Sequence, residues 1–150
     1  MDYKSEALSY LENYKKLNHA VGNLQRQIER IEQNEGPTLN ALHSMKLSDL
    51  PKSSSQQEAT FNMLYKLQVL TQSLHDTLRD IQDIDEALEI LAEENELYKI
   101  VLVETVIKKR EITELSREIG YSTRQISRIK HEALTMFAVL FLGIIASEVS

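Results

Sequence analysis

Apolar residues recur at helical spacing along most of the chain. From about Tyr3 to Gln33, the positions Leu8, Leu11, Tyr14, Leu17, Val21, Leu24, Ile28 and Ile31 are three or four residues apart, a heptad-like stripe that predicts one long helix. Asn34-Glu35-Gly36-Pro37 is expected to end it, glycine closing the helix and proline blocking its continuation. Leu39, Leu42 and Leu47 suggest a short helix before a polar loop around Pro51 to Gln57. A second long helix is predicted to begin near Ser55 to Glu58 and reach about Glu96. Its stripe is Leu64, Leu67, Leu74, Leu78, Ile81, Ile84, Leu88 and Leu91, and about 35 helical residues span roughly 50 Å. The two long helices are expected to fold back as an antiparallel hairpin.

The pattern changes scale between Ile112 and Leu134. Ile112, Leu115 and Ile119 share one face of a short helix that also carries the small Ser116, and Gly120 follows in a turn. Glycine enters the left-handed region readily, so the first helix can finish there and the chain change direction. After the apolar Tyr121, Ser122-Thr123-Arg124-Gln125 reads as a capping box. In it the Ser122 hydroxyl accepts from the Gln125 N–H, and the Gln125 side chain accepts from the Ser122 N–H. Ile126, Ile129 and Ala133 then give a second helix its inward stripe.

The outward positions of that second helix are Thr123, Arg124, Ser127, Arg128 and His131, with Gln125 and Lys130 at the flanks and no acid before Glu132. In a major groove, Arg124 and Arg128 suit guanine edges and Gln125 suits adenine. Thr123, Ser127 and Lys130, with Lys108, Lys109 and Arg110 upstream, suit phosphates, and His131 is a phosphate or solvent contact. Two amphipathic helices joined at a glycine also occur where no nucleic acid binds. The coincidence of both stripes, the glycine and cap, and the basic outer face favours DNA.

Glu111 to Ser122, followed by Arg124-Gln125-Ile126-Ser127-Arg128-Ile129 and Glu132-Ala133-Leu134, resembles the helix-turn-helix of sigma factor region 4. With the long helical front half and the Ser48-Asp49-Leu50-Pro51 loop, the layout is similar to the ArpU/RinA-like late transcription regulators of phages of Gram-positive bacteria. The resemblance implies a phage or prophage activator that binds promoter DNA and engages host RNA polymerase. Ser116 departs from it, standing where alanine is usual, and the apolar C-terminal tail is longer than the pattern needs.

Composition bounds the alternatives. A 150-residue chain with 42% hydrophobic and 27% charged residues, four glycines and two prolines fits an all-α protein of one domain or two small modules. The absence of cysteine excludes disulfides and thiolate metal sites and suits a bacterial cytoplasm. No secretory signal is read at the start. The net charge of −6 divides unevenly, with +3 between Thr105 and Thr135 and −9 elsewhere. A basic module therefore works beside an acidic one that faces away.

The acids Asp76, Asp80, Asp83, Asp85, Glu86, Glu89, Glu93, Glu94 and Glu96 read as a solvated face rather than a metal site, because no histidine follows a glutamate by three residues. There is no phosphate loop, nucleophile elbow or cysteine nucleophile, so neither an enzyme nor a cofactor is expected. The apolar run from Ala133 has fourteen residues before Ser147, short of the about 20 that span a membrane. Apolar on every side, it is expected to be a separate helix buried between other elements or against a second copy, and docking or dimerisation is favoured over intramolecular core because DNA readers of this kind use two half-sites about 34 Å apart.

The expected organisation is a helical hairpin for assembly or polymerase contact over 1–98, a DNA-binding helix-turn-helix over 99–135 and an apolar terminal helix over 136–150. The expected partners are double-stranded DNA, host RNA polymerase and a second copy, as a dimer or higher homo-oligomer. Two other readings stay open: a phage small terminase subunit, which would form larger rings, and a coiled-coil inhibitor that binds protein instead of DNA.

Overall fold

The computed structural model describes residues 2–44 and 54–143, with side chains described at all of these except 34–44 and 54–57. The described residues are all-helical. Six α-helices run in order: α1 Tyr3–Glu12, α2 Tyr14–Ser44, α3 Ser54–Glu94, α4 Glu96–Leu102, α5 Ile112–Ile119 and α6 Thr123–Leu142. A π-helical turn, Val103–Ile107, continues α4. Of the loop expected from Pro51 to Gln57, 51–53 lie outside the described residues and 54–57 already belong to α3.

The first long stripe is divided by a hitch at Asn13, where the side-chain amide donates to the Ser9 carbonyl at 2.9 Å. Such local bonding by asparagine competes with the helix ladder, and α2 restarts at Tyr14. The expected stop at Asn34 to Pro37 does not occur, because α2 continues through both Gly36 and Pro37 to Ser44. Proline lacks one N–H, but its φ of about −65° is itself helical, so a long helix can lose one ladder bond and continue.

The chain divides into two compact units, Met1–Asn18 with Asp80–Ser150, and His19–Arg79. The first holds a core of Ala7 and Leu11 from α1, Ile84, Ala87, Leu88 and Leu91 from α3, Leu102, Val106 and Ile107, and Ala133, Leu134, Phe137 and Ala138 from α6. Tyr14 donates its hydroxyl to Asp85 at 2.7 Å beside this core, and burial raises its pKa with the carboxylate adding to the shift. In the second unit the expected stripes are half-buried at Val21, Leu24, Ile28, Ile31, Leu64, Leu67 and Leu74, while Leu78 is exposed.

The C-terminal apolar run is not a separate helix. As far as Leu142 it is the second half of α6, which passes from the basic Thr123–His131 stretch into Phe137 and Phe141 without a break, and the rest of the run, from 144 on, lies outside the described residues. Phe137 is fully buried, stacks on Phe141 at a centroid distance of 5.5 Å, and Phe141 meets Tyr10 of α1 at 4.8 Å. Of the residues expected to dock on a second copy, Phe137 and Ala138 are buried in the chain's own core and Met136, Leu140, Phe141 and Leu142 pack against it. Among the described residues, no helix is long and apolar enough to cross a membrane.

Candidate nucleic-acid interface

A second cluster is built where α4, α5 and α6 converge. Val101, Leu115, Ile126 and Ile129 are buried together, and Leu97, Tyr98, Ile112 and Ile119 pack around them. The predicted inward positions of α5 and α6 are thus half-buried or buried, with α4 as a third wall. Asn95 starts that wall by accepting the Leu97 N–H on its side chain at 3.0 Å.

The turn between α5 and α6 is closed by three local devices. Gly120 adopts φ +79° and its N–H donates to the Ser116 carbonyl at 3.0 Å. The Ser116 hydroxyl donates to the Tyr121 carbonyl, which gives serine a role alanine could not fill. The capping box is complete, with the Gln125 N–H donating to Ser122 Oγ at 3.1 Å and the Ser122 N–H to Gln125 Oε1 at 2.9 Å. Tyr121, grouped with the apolar positions on sequence, is instead exposed.

Anchored by Ile126 and Ile129, α6 turns Thr123, Arg124, Gln125, Ser127, Arg128 and His131 toward solvent, and Lys130 is half-buried. Arg124 and Arg128 are one helical turn apart, about 6 Å along the axis. Among the described residues no carboxylate lies within ion-pair distance of Arg124, Arg128 or Lys130. Both guanidiniums keep their five donors available to acceptors from outside.

Three of the candidate residues are engaged within the chain, Gln125 in the cap that the sequence predicted, His131 and Arg110 in ways it did not reveal. Gln125 commits one lone pair of its amide oxygen to the cap, which ties the side chain back to Ser122 and leaves Nε2 without a partner among the described residues. His131 lies against the Lys4 ammonium of α1, with Nδ1 at 2.5 Å from Nζ. Arg110 is held by carboxylates: Nη1 donates to Glu104 at 3.0 Å and to Glu118 at 3.0 Å, and Glu114 approaches Nε at 3.7 Å. Bonding to Glu118, then to Glu104, raises the Arg110 pKa; the Glu104 carboxyl is lowered by its bond to Lys108 and then by Arg110, and the Glu118 carboxyl by Arg110. Arg110 therefore tethers Glu104 to Glu118 within the module.

Lys108 also donates to Glu104, at 2.9 Å, whereas Lys109 is exposed with a left-handed φ of 58° at the exit of the π turn. The turn widens where Thr105 donates its hydroxyl to the Val101 carbonyl at 2.6 Å and the Lys108 N–H reaches Val103 five residues back at 2.9 Å. Sequence reasoning passed over Arg117, an exposed cation on α5. Its signal was available, since it falls outside the Ile112, Leu115 and Ile119 stripe. Among the described residues no group of three or more histidines and carboxylates could hold a metal ion. In comparisons with protein-family models, curated proteins and solved structures, the chain matched none.

Proposed function

We propose that the chain is a sequence-specific DNA-binding transcription regulator of phage or prophage late genes, acting with host RNA polymerase in the bacterial cytoplasm. In this reading α5, the Gly120 turn and α6 form a helix-turn-helix in the manner of sigma region 4, and the long α2 and α3 form the arms of a helical hairpin for assembly or polymerase contact. The observation that carries it is the two-sidedness of α6. Ile126 and Ile129 are buried against α4 and α5, while Arg124 and Arg128 project from the opposite side with no described carboxylate to mask them.

Recognition follows from the chemistry of those side chains. Arg124 and Arg128 donate in pairs to guanine O6 and N7. Thr123, Ser127, Lys130, Lys109 and Arg117 take phosphates, which set the register of α6 without specifying sequence. Gln125 contributes through Nε2, its oxygen being shared with the Ser122 cap.

The test is selection of bound duplexes from a random pool, followed by titration of the winning site at several salt concentrations. Affinity is expected to fall with a log-log slope of about −0.9 for each phosphate neutralised. Arg128→Ala is expected to cost about 1 to 3 kcal/mol on the selected site and to relax preference at one base pair. Absence of duplex binding even at low salt rejects the reading.

A further inference from the structure

We propose that α3 carries a self-association surface, in which Phe61, Tyr65 and Val69 pair antiparallel, across a two-fold axis, with the same three residues of a second copy of this chain. Their exposures are 52%, 70% and 45%. At about 100° of rotation per residue the three fall within about 80° of one another, and Leu74 lies about 180° around the helix from Tyr65. Leu74 is half-buried. This stretch of α3 is therefore apolar on opposite sides, and only one side is covered. Three large apolar side chains aligned one helical turn apart and facing water lose contact with solvent, at a gain in free energy, when a partner surface covers them.

Charge selects the occupant. From Ala59 to His75 the only formal charge is Lys66, whereas Asp76 to Glu96 carries nine carboxylates and one arginine. A nucleic acid finds no cationic cluster on the stripe, and a strongly charged protein segment finds no countercharge. A neutral apolar stripe is complemented by another, and a second copy brings one in a self-complementary geometry.

Charge also selects the direction. A parallel pairing would run the nine-carboxylate segment alongside its own copy, which like-charge repulsion opposes. With Tyr65 on the two-fold axis, an antiparallel pairing sets Phe61 opposite the partner's Val69. It brings Asp76 level with the partner's Ser54, the first residue of α3, so the acidic segments diverge. The proposal rests on the α3 surface alone and does not depend on DNA binding.

The chain contains no cysteine, so single introduced cysteines in the full-length protein report proximity directly. Under mild oxidation Tyr65→Cys is expected to form a disulfide-linked dimer, and Phe61→Cys mixed with Val69→Cys to cross-link faster than either alone. Gln82→Cys, at an exposed position of α3 away from the stripe, is the control. Light scattering of the unaltered chain is expected to give at least two copies of 17.3 kDa, and Tyr65→Glu to halve that mass with circular dichroism unchanged. A single-copy mass at every concentration, an assembly that folded Tyr65→Glu leaves intact, or cross-linking at Tyr65→Cys no faster than at Gln82→Cys overturns it. Should Tyr65→Glu lose helix, the cysteine comparison decides alone.

Discussion

The unit formed by Met1–Asn18 with Asp80–Ser150 and the unit His19–Arg79 are both helical, yet they use the same residue types differently. In the first, several helices converge and bury Leu11, Leu91, Leu102, Leu115, Ile126 and Phe137 almost completely. In the second, no described side chain reaches that state, although its leucine and isoleucine stripes are as regular. Amphipathic periodicity is enough to make a helix. Fixing where its side chains point needs several helices packed on one another, because most helical stability comes from tertiary contact. The exposed cations of α6 stand on the unit that has such contacts, so they are held in a defined array.

The largest expected effect tests that contrast at its centre. Phe137→Ala removes a fully buried ring that stacks on Phe141, and is expected to cost about 3 to 5 kcal/mol in urea unfolding followed by circular dichroism. Leu67→Ala, at a half-buried position of α3, is expected to lose less than half as much. Equal losses would mean that residues 19–79 contain packing as tight as the first unit, and the contrast would fail.

One substitution made in both units is expected to change sign. Gly120→Ala meets no atom within 4 Å, so space is not the obstacle, but φ +79° forces alanine into the left-handed region at a cost of about 1 to 2 kcal/mol. Gly22→Ala lies inside α2 with ordinary helical geometry, where alanine is preferred by about 0.5 to 1 kcal/mol. Its new methyl would meet only the Arg26 guanidinium at 3.3 Å, the far end of a flexible side chain. The expected result is a lower urea midpoint for Gly120→Ala and a higher one for Gly22→Ala. A loss at both would show that Gly22 is needed for close approach, and that residues 19–79 are more constrained than their exposure indicates.

What the sequence revealed and what it hid follow the same division between local and distant causes. The inward face of α5 and α6, the Gly120 turn and the Ser122–Gln125 cap were legible because each is decided within a few residues. The solvent-facing Arg124 and Arg128 followed from that face by helical geometry alone. The Lys4 contact with His131 spans 127 positions and left no mark on either local pattern. The burial of Phe137 against α1 was hidden for the same reason, which is how a core segment came to look like a docking helix. The continuation of α2 through Pro37 was misjudged because proline weakens a helix without having to end it. Arg110 was counted as a phosphate contact because a basic run shows its charge in sequence, whereas the carboxylates that claim it arrive from Glu104 and Glu118 on either side.

That tether gives the smallest and most specific expectation. Lys108 and Arg110 hold the Glu104 carboxyl below its ordinary value of 4.5, and Arg110 does the same to Glu118. A carboxyl with a lower pKa in the folded than in the unfolded chain contributes stability that is fully present above the unfolded value. The contribution is lost as pH falls through the folded value. Urea midpoints of the unaltered chain and of Glu104→Gln are therefore expected to differ at neutral pH and to converge as the solution is acidified below about 4.5. The difference is modest, since these groups are partly open to solvent and salt. A gap that stays constant into acid would mean that Glu104 acts through packing rather than charge. The Glu104 carboxylate would then owe nothing to Lys108 or Arg110, and Arg110 would be held chiefly by Glu118.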